Sequence, residues 1–163
     1  MRLLSNMLKK YSIKEYTDDN ELIRFCEETW GDYIRSLDNT VRTKLLSIQA
    51  HGLIKGVGYD DTIIDTYQSE LCKFPPVPCD IVVYRGGEMK IPGRPFLSAS
   101  FCKEKALSFA NNRKSMLHPI IIRKGACVVP SLYLSMNGSF LEKEIVIDVS
   151  CLHKKIGYYE YCR

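Results

Sequence analysis

The sequence has little of what marks a metal protein, a disulfide scaffold or a membrane span. Its three histidines (51, 118, 153) fall at no ligand spacing, and its seven cysteines (26, 72, 79, 102, 127, 151, 162) include no Cys-x-x-Cys pair. Zinc sites gather such ligands at short intervals, so this spread argues against one. An odd, scattered set also makes no complete disulfide framework, and reduced thiols in a cytosolic setting are the simpler expectation. No apolar run approaches the roughly 18 residues that a spanning helix needs. The opening Met-Arg-Leu-Leu-Ser-Asn-Met-Leu-Lys-Lys holds too short an apolar stretch for a Sec-type signal peptide. A dominant charge is missing too: 23 Lys and Arg face 19 Asp and Glu, for a net +4. That balance fits an anionic ligand or an acidic partner surface but is no nucleic-acid footprint. The expectation is a monomer acting in a cytosol with no membrane or nucleic-acid partner. That cytosol is either its producer's or one reached without a cleaved signal.

What is present is enough chain for one domain, 163 residues of which 45% are hydrophobic and 26% charged. Its pattern changes at Pro75-Pro76-Val77-Pro78. Before that run, residues 1–78 read as helical. Asp18, Asp19 and Asn20 cap a helix carrying Leu22, Ile23, Cys26 and Trp30. Ile34, Leu37, Val41, Leu45 and Ile48 then form a helical stripe. After Gly52, Gly56 and Gly58, a third helix begins near Asp60 or Asp61 and presents Ile63, Ile64, Tyr67 and Leu71. From 79 to 163 the period falls to two. Strands are expected at 81–84, 95–100, 119–122, 126–129, 132–134 and 142–148, with a short helix over 103–111 and a closing strand within 156–161. Ser135 to Ser139 has the chemistry of a loop. Helices first and strands second indicate an α+β fold.

Within the β-rich part, Glu142 and Glu144 flank Lys143 at the start of the Ile145-Val146-Ile147 run. A strand would put both carboxylates on one face. Tyr84-Arg85-Gly86 ends one earlier strand and Phe96-Leu97-Ser98-Ala99-Ser100 forms another. Taken singly, each has a plainer reading: a surface cation at a strand end, polar faces of an edge strand, a solvated pair of carboxylates.

Taken in order, the three elements resemble the Arg-Ser-Glu class of mono-ADP-ribosyltransferases, in the Glu-x-Glu subgroup. This class includes clostridial toxins and the vertebrate arginine-specific enzymes. The likeness spans about residues 80 to 150. It implies a helical subdomain packed on a two-sheet mixed β core, with NAD as substrate and no metal. Arg85, Ser98, Glu142 and Glu144 would carry the chemistry. Arg85, Gly86, Ser98, Ser100, Phe109 and Arg113 would contact NAD, and Phe140 and Glu142 would recognise the acceptor. The resemblance also implies a protein target, with arginine favoured, and an effector or toxin role. Ala99 stands where the family has Thr, and the interval from Phe140 to Glu142 is shorter than in the clostridial toxins. In the helical half, only Tyr33, Asp38 and Arg42 offer themselves as further cofactor contacts.

The residue types suit that reaction. A forked, permanently charged Arg85 matches a pyrophosphate, and Gly86 lets backbone approach it. Breaking the nicotinamide–ribose bond creates an oxocarbenium-like centre, as in glycoside hydrolysis, which a carboxylate such as Glu144 stabilises. A protonated arginine acceptor would be attracted and deprotonated by Glu142. Two other readings stay open: an NAD glycohydrolase with water as acceptor, and a non-catalytic protein-binding module that keeps the fold.

Overall fold

The computed structural model describes residues 2–51, 62–134 and 142–163, with side chains left aside over 47–51. Helix α1 (Arg2–Lys10) is followed by α2 (Asp19–Cys26), a π turn (Glu27–Gly31), α3 (Asp32–Ser36), α4 (Asn39–His51) and α5 (Thr62–Glu70). The Asp18 carboxylate accepts the Glu21 amide at 2.9 Å and caps α2 as the sequence predicts. The stripe from Ile34 to Ile48 does not form one helix. Leu37 is extended at ψ 136°, and Asp38 starts α4 afresh by accepting the Thr40 amide at 2.8 Å. Asp60 and Asp61 lie outside the described residues. A 3-10 turn (Leu71–Lys73) then runs into the proline segment.

The β-rich part holds β1 (Ile81–Gly86), β2 (Phe96–Ser100), α6 (Lys103–Phe109), β3 (Leu117–Ile122), α7 (Ser131–Leu134), β4 (Glu144–Asp148), β5 (Leu152–Lys154) and β6 (Tyr159–Tyr161). The α+β class and the order of helical part before β part are those read from the sequence. Two expected strands are absent. Residues 126–129 make one bridge, Val129 to Val146, and 131–134 is α7. Pro130 explains the second difference. Its carbonyl accepts the amides of Tyr133 and Leu134, so the proline opens a helical turn instead of parting two strands. The short β5 was not foreseen.

The six strands form one mixed sheet in the order β4-β2-β1-β3-β6-β5. Its seams are unequal. β1 and β3 pair at six successive positions, from Ile81–Ile122 to Gly86–Leu117, and β2 and β4 at five. β1 and β2 meet at one position, Tyr84 opposite Ser100. The expected two-sheet core therefore takes the form of two tight ladders joined at a single point.

The larger core lies between the helical part and one side of this sheet, with Trp30, Tyr67, Leu71, Val83, Ile120 and Ile145 among its buried members. The Trp30 indole N–H donates to the Pro75 carbonyl at 2.9 Å, which ties the helical part to the entry of the sheet. A smaller cluster of Leu8, Ile13, Val82, Tyr84, Ala106 and Ile121 packs α1 and α6 on the other side.

Candidate active site

The single-point seam opens into a cleft of about 270 Å³ whose lining includes Arg85, Gly86, Ser98, Ser100, Phe109 and Glu144. The two ladders and the junction between them set the positions of its polar groups. Arg85 leaves β1 one residue past the Tyr84–Ser100 junction. Its Nη1 donates to the Ser98 carbonyl at 3.0 Å and reaches the Ser98 hydroxyl at 3.5 Å, and its Nε donates to the Glu88 carbonyl at 3.4 Å. Glu144 stands directly opposite Ser100, with Ser98 opposite Val146 two places along. Diagonal neighbours on one face of an antiparallel pair are within side-chain reach, and Ser98 opposes the rise of the Glu144 pKa.

Glu144 is 8% exposed. Burial first, then the charge of Glu142 and a hydrogen bond with it, push its pKa up to about 7, against the opposing pull of Arg85 and Ser98. Arg85 is pressed the other way: burial and then the neighbouring Arg94 guanidinium lower its pKa, and Glu144 raises it.

Glu142 is not part of the strand. β4 begins at Glu144, and Lys143 sits in the left-handed region at φ 50°, so Glu142 lies exposed in a turn. Strand alternation therefore does not align the two carboxylates; the turn does. That turn is fastened at three points. The Ser100 hydroxyl donates to the Glu142 carbonyl at 2.6 Å, the Phe101 amide donates to the Lys143 carbonyl at 3.0 Å, and Lys143 pairs with Asp19 of α2 at 2.7 Å. Ser100 also accepts the Cys102 amide at 3.0 Å. Its hydroxyl is thereby committed to backbone and positions the turn.

Gly86 has a packing reason for being glycine. A Cβ there would stand 1.7 Å from the Ala106 carbonyl oxygen, so only glycine lets α6 lie against β1. That approach brings Phe109, 53% exposed at the end of α6, to the cleft. Arg113 follows two left-handed residues, Asn111 and Asn112, and stands exposed outside the cleft lining. Phe140 lies outside the described residues.

The helical candidates are engaged elsewhere. Tyr33 donates to Glu70 at 3.3 Å and meets Phe74 edge-on. Asp38 caps α4, and Arg42 donates to the carbonyls of Ile34 at 2.5 Å and Leu134 at 3.4 Å. None of the three lines the cleft. Sequence reasoning passed over Arg94, which stands outside the cleft lining but close enough to act on Arg85, and whose Nε, like that of Arg42, is buried without a hydrogen-bond partner among the described residues. It belongs to no strand or motif, and its one signal was its place just before Pro95 and β2.

No protein-family model matches the sequence, and no curated protein matches it significantly. Solved structures do. Plx2a, an ADP-ribosyltransferase toxin from Paenibacillus larvae, aligns over 91% of this chain and 96% of its own, with a TM-score of 0.58 and 13% identity. Exoenzyme S from Pseudomonas aeruginosa, solved with human 14-3-3 protein beta and bound to Carba-NAD, aligns over 88% and 86%, with a TM-score of 0.52 and 13% identity. The chain has the fold of the ADP-ribosyltransferase toxins.

Proposed function

We propose that the chain is an NAD-dependent mono-ADP-ribosyltransferase that acts on a protein side chain, with arginine the favoured acceptor. The observation that carries this reading is the convergence of Arg85, Ser98 and a buried Glu144 on one cleft. The cleft's small volume suits the nicotinamide–ribose end of NAD, held beside Phe109. Arg85 binds the adjoining phosphates, and Arg94, orphaned at Nε, is a second guanidinium for the same anion.

In this reading Glu144 reacts as the carboxylate. It accepts a hydrogen bond from a ribose hydroxyl, and its charge stabilises the oxocarbenium-like centre as the C1′–nicotinamide bond breaks and nicotinamide leaves with the bonding electrons. Ser98 and Arg85 hold Glu144 in its pose. Glu142, exposed at the rim, takes the proton from the acceptor guanidinium as its nitrogen bonds to C1′. Phe140 would guide the acceptor, and Arg113 would reach a phosphate from the rim. The fold shared with toxins, one of them solved in complex with a human protein, favours an effector acting on a host protein.

Incubation with biotinylated NAD and a eukaryotic or bacterial lysate tests the proposal. Labelled bands that vanish with Glu144→Ala support transfer and yield the target by mass spectrometry. Nicotinamide release without bands in either lysate gives the glycohydrolase reading, and no release gives the binding-module reading.

A further inference from the structure

Helix α6 divides the cleft from a larger groove. Ala106 and Phe109 line the cleft, whereas Lys103 and Leu107 line a groove of about 530 Å³ floored by Tyr84, Leu117 and Pro119. One lip of the groove is α1, through Leu3, Leu4 and Met7, and the other is the turn at Ile156 to Tyr158. Each lip carries a large apolar side chain pointing into solvent: Leu3 is 76% exposed and Ile156 is 92% exposed. Apolar tips gathered around an apolar groove mark an interaction surface.

The charge around it has one prevailing sign. α1 carries Arg2, Lys9 and Lys10 and no acidic residue. Lys103 and Lys114 line the groove, and exposed Lys154 and Lys155 lead into Ile156. The acidic groups on the adjoining elements are Glu104 of α6, Glu15, which accepts the Tyr84 hydroxyl at 2.6 Å, and Glu160 of β6, which is paired with Arg123 at 2.8 Å. Exposed leucine and isoleucine within a lysine field match an anionic lipid surface, where apolar tips enter the acyl boundary and ammonium groups meet lipid phosphates. An acidic protein partner would match the lysines but would leave the two protruding tips unexplained.

We propose that this face docks the chain on an anionic membrane surface, with Leu3 and Ile156 inserted and the groove between them holding a lipid acyl chain. No described helix is long and apolar enough to cross a membrane, so the contact is peripheral. The sequence reading expected no membrane partner. The patch becomes visible when residues 2–10 and 154–158, remote in the chain, stand as two lips of one groove. This proposal does not depend on the NAD reading.

Co-sedimentation tests it, with vesicles of phosphatidylcholine alone and of phosphatidylcholine mixed equally with phosphatidylserine. The wild-type chain should pellet with the serine-containing vesicles and stay in solution with the others. Leu3→Asp with Ile156→Asp should weaken that binding by at least about tenfold. Lys114→Glu with Lys155→Glu should do the same through charge. These side chains are exposed or line a surface groove, so thermal melting and nicotinamide release in solution should stay at wild-type level. No pelleting with either vesicle, equal pelleting with both, or unchanged pelleting of the Leu3 and Ile156 variant overturns the proposal. Retention on an acidic peptide resin without vesicle binding would also overturn it, in favour of a protein partner.

Discussion

The two sides of β1 are built for different tasks. Toward β3 it pairs at every position, and Ile81, Val82 and Val83 with their partners Ile122, Ile121 and Ile120 are at 0% exposure. Toward β2 it touches once and then parts. The closed seam runs the whole length of β1, and its first three pairs lie sealed in the core. The open seam leaves the end of β1 free to aim Arg85 across the gap at Ser98 and Glu144. A continuous ladder stabilises, and an interrupted one makes a cleft whose walls are held by the ladders on either side.

Substitutions can test that division, beginning with the largest effect. Ile120→Ala in the closed seam should cost about 3–4 kcal/mol of stability, because it leaves a void in a fully buried layer. Denaturant unfolding measures this, and the remaining folded protein should keep its activity. Arg85→Ala in the open seam should do the reverse. Apparent NAD affinity falls roughly a hundredfold, about 2.7 kcal/mol, with little loss of stability. Equal effects of the two on both properties would erase the distinction. Gly86→Ala strikes both sides at once. Its methyl group meets backbone, so α6 must move away and Phe109 with it. A destabilisation of about 2 kcal/mol, seen as a lowered Tm, should accompany weakened NAD binding.

The smallest effect concerns pH. Glu144 titrates near 7 because it is buried and faces Glu142. An acid whose folded pKa is raised binds more protons folded than unfolded, between an ordinary carboxylate pKa of about 4 and that value. Stability therefore falls as pH rises through this window and levels off above it. Nicotinamide release, which needs the carboxylate, rises through the same window. Glu142→Gln removes the like charge, so both profiles should move to lower pH, by about one unit. Burial remains and keeps the midpoint above that of a free glutamate. The same variant should spare NAD cleavage and abolish transfer to arginine. Transfer continuing unchanged would remove Glu142 from its assigned role.

The legible parts of this site were those fixed by strand periodicity. Ser98, Ser100 and Glu144 sit on β2 and β4 as alternation and β-branched runs indicate, and Arg85 on the strand that precedes Gly86-Gly87. What escaped depended on single backbone conformations or on contacts distant in sequence. Lys143 at φ 50° lifts Glu142 out of the strand, and no lysine advertises that conformation. Pro130 served equally as a strand breaker or a helix start. Its choice was set by the packing of buried Ser131, Leu132 and Leu134. The break between α3 and α4 was written in Asp38 and Asn39, a capping pair that the apolar stripe outweighed. The sequence motif presents Gly86 as room for a ligand, whereas the contact that demands it is with a helix twenty residues on.

Glu144, in the open seam, is the group assigned to NAD cleavage in the proposed function. Nicotinamide release by the wild-type chain and by Glu144→Gln, with the Tm of each recorded alongside, tests it most directly. The wild type should release nicotinamide, the variant should lose about a thousandfold of that rate, and its Tm should hold or rise because a buried ionisable group is gone. Release at the wild-type rate from a folded Glu144→Gln protein would contradict it, as would no release from the wild type.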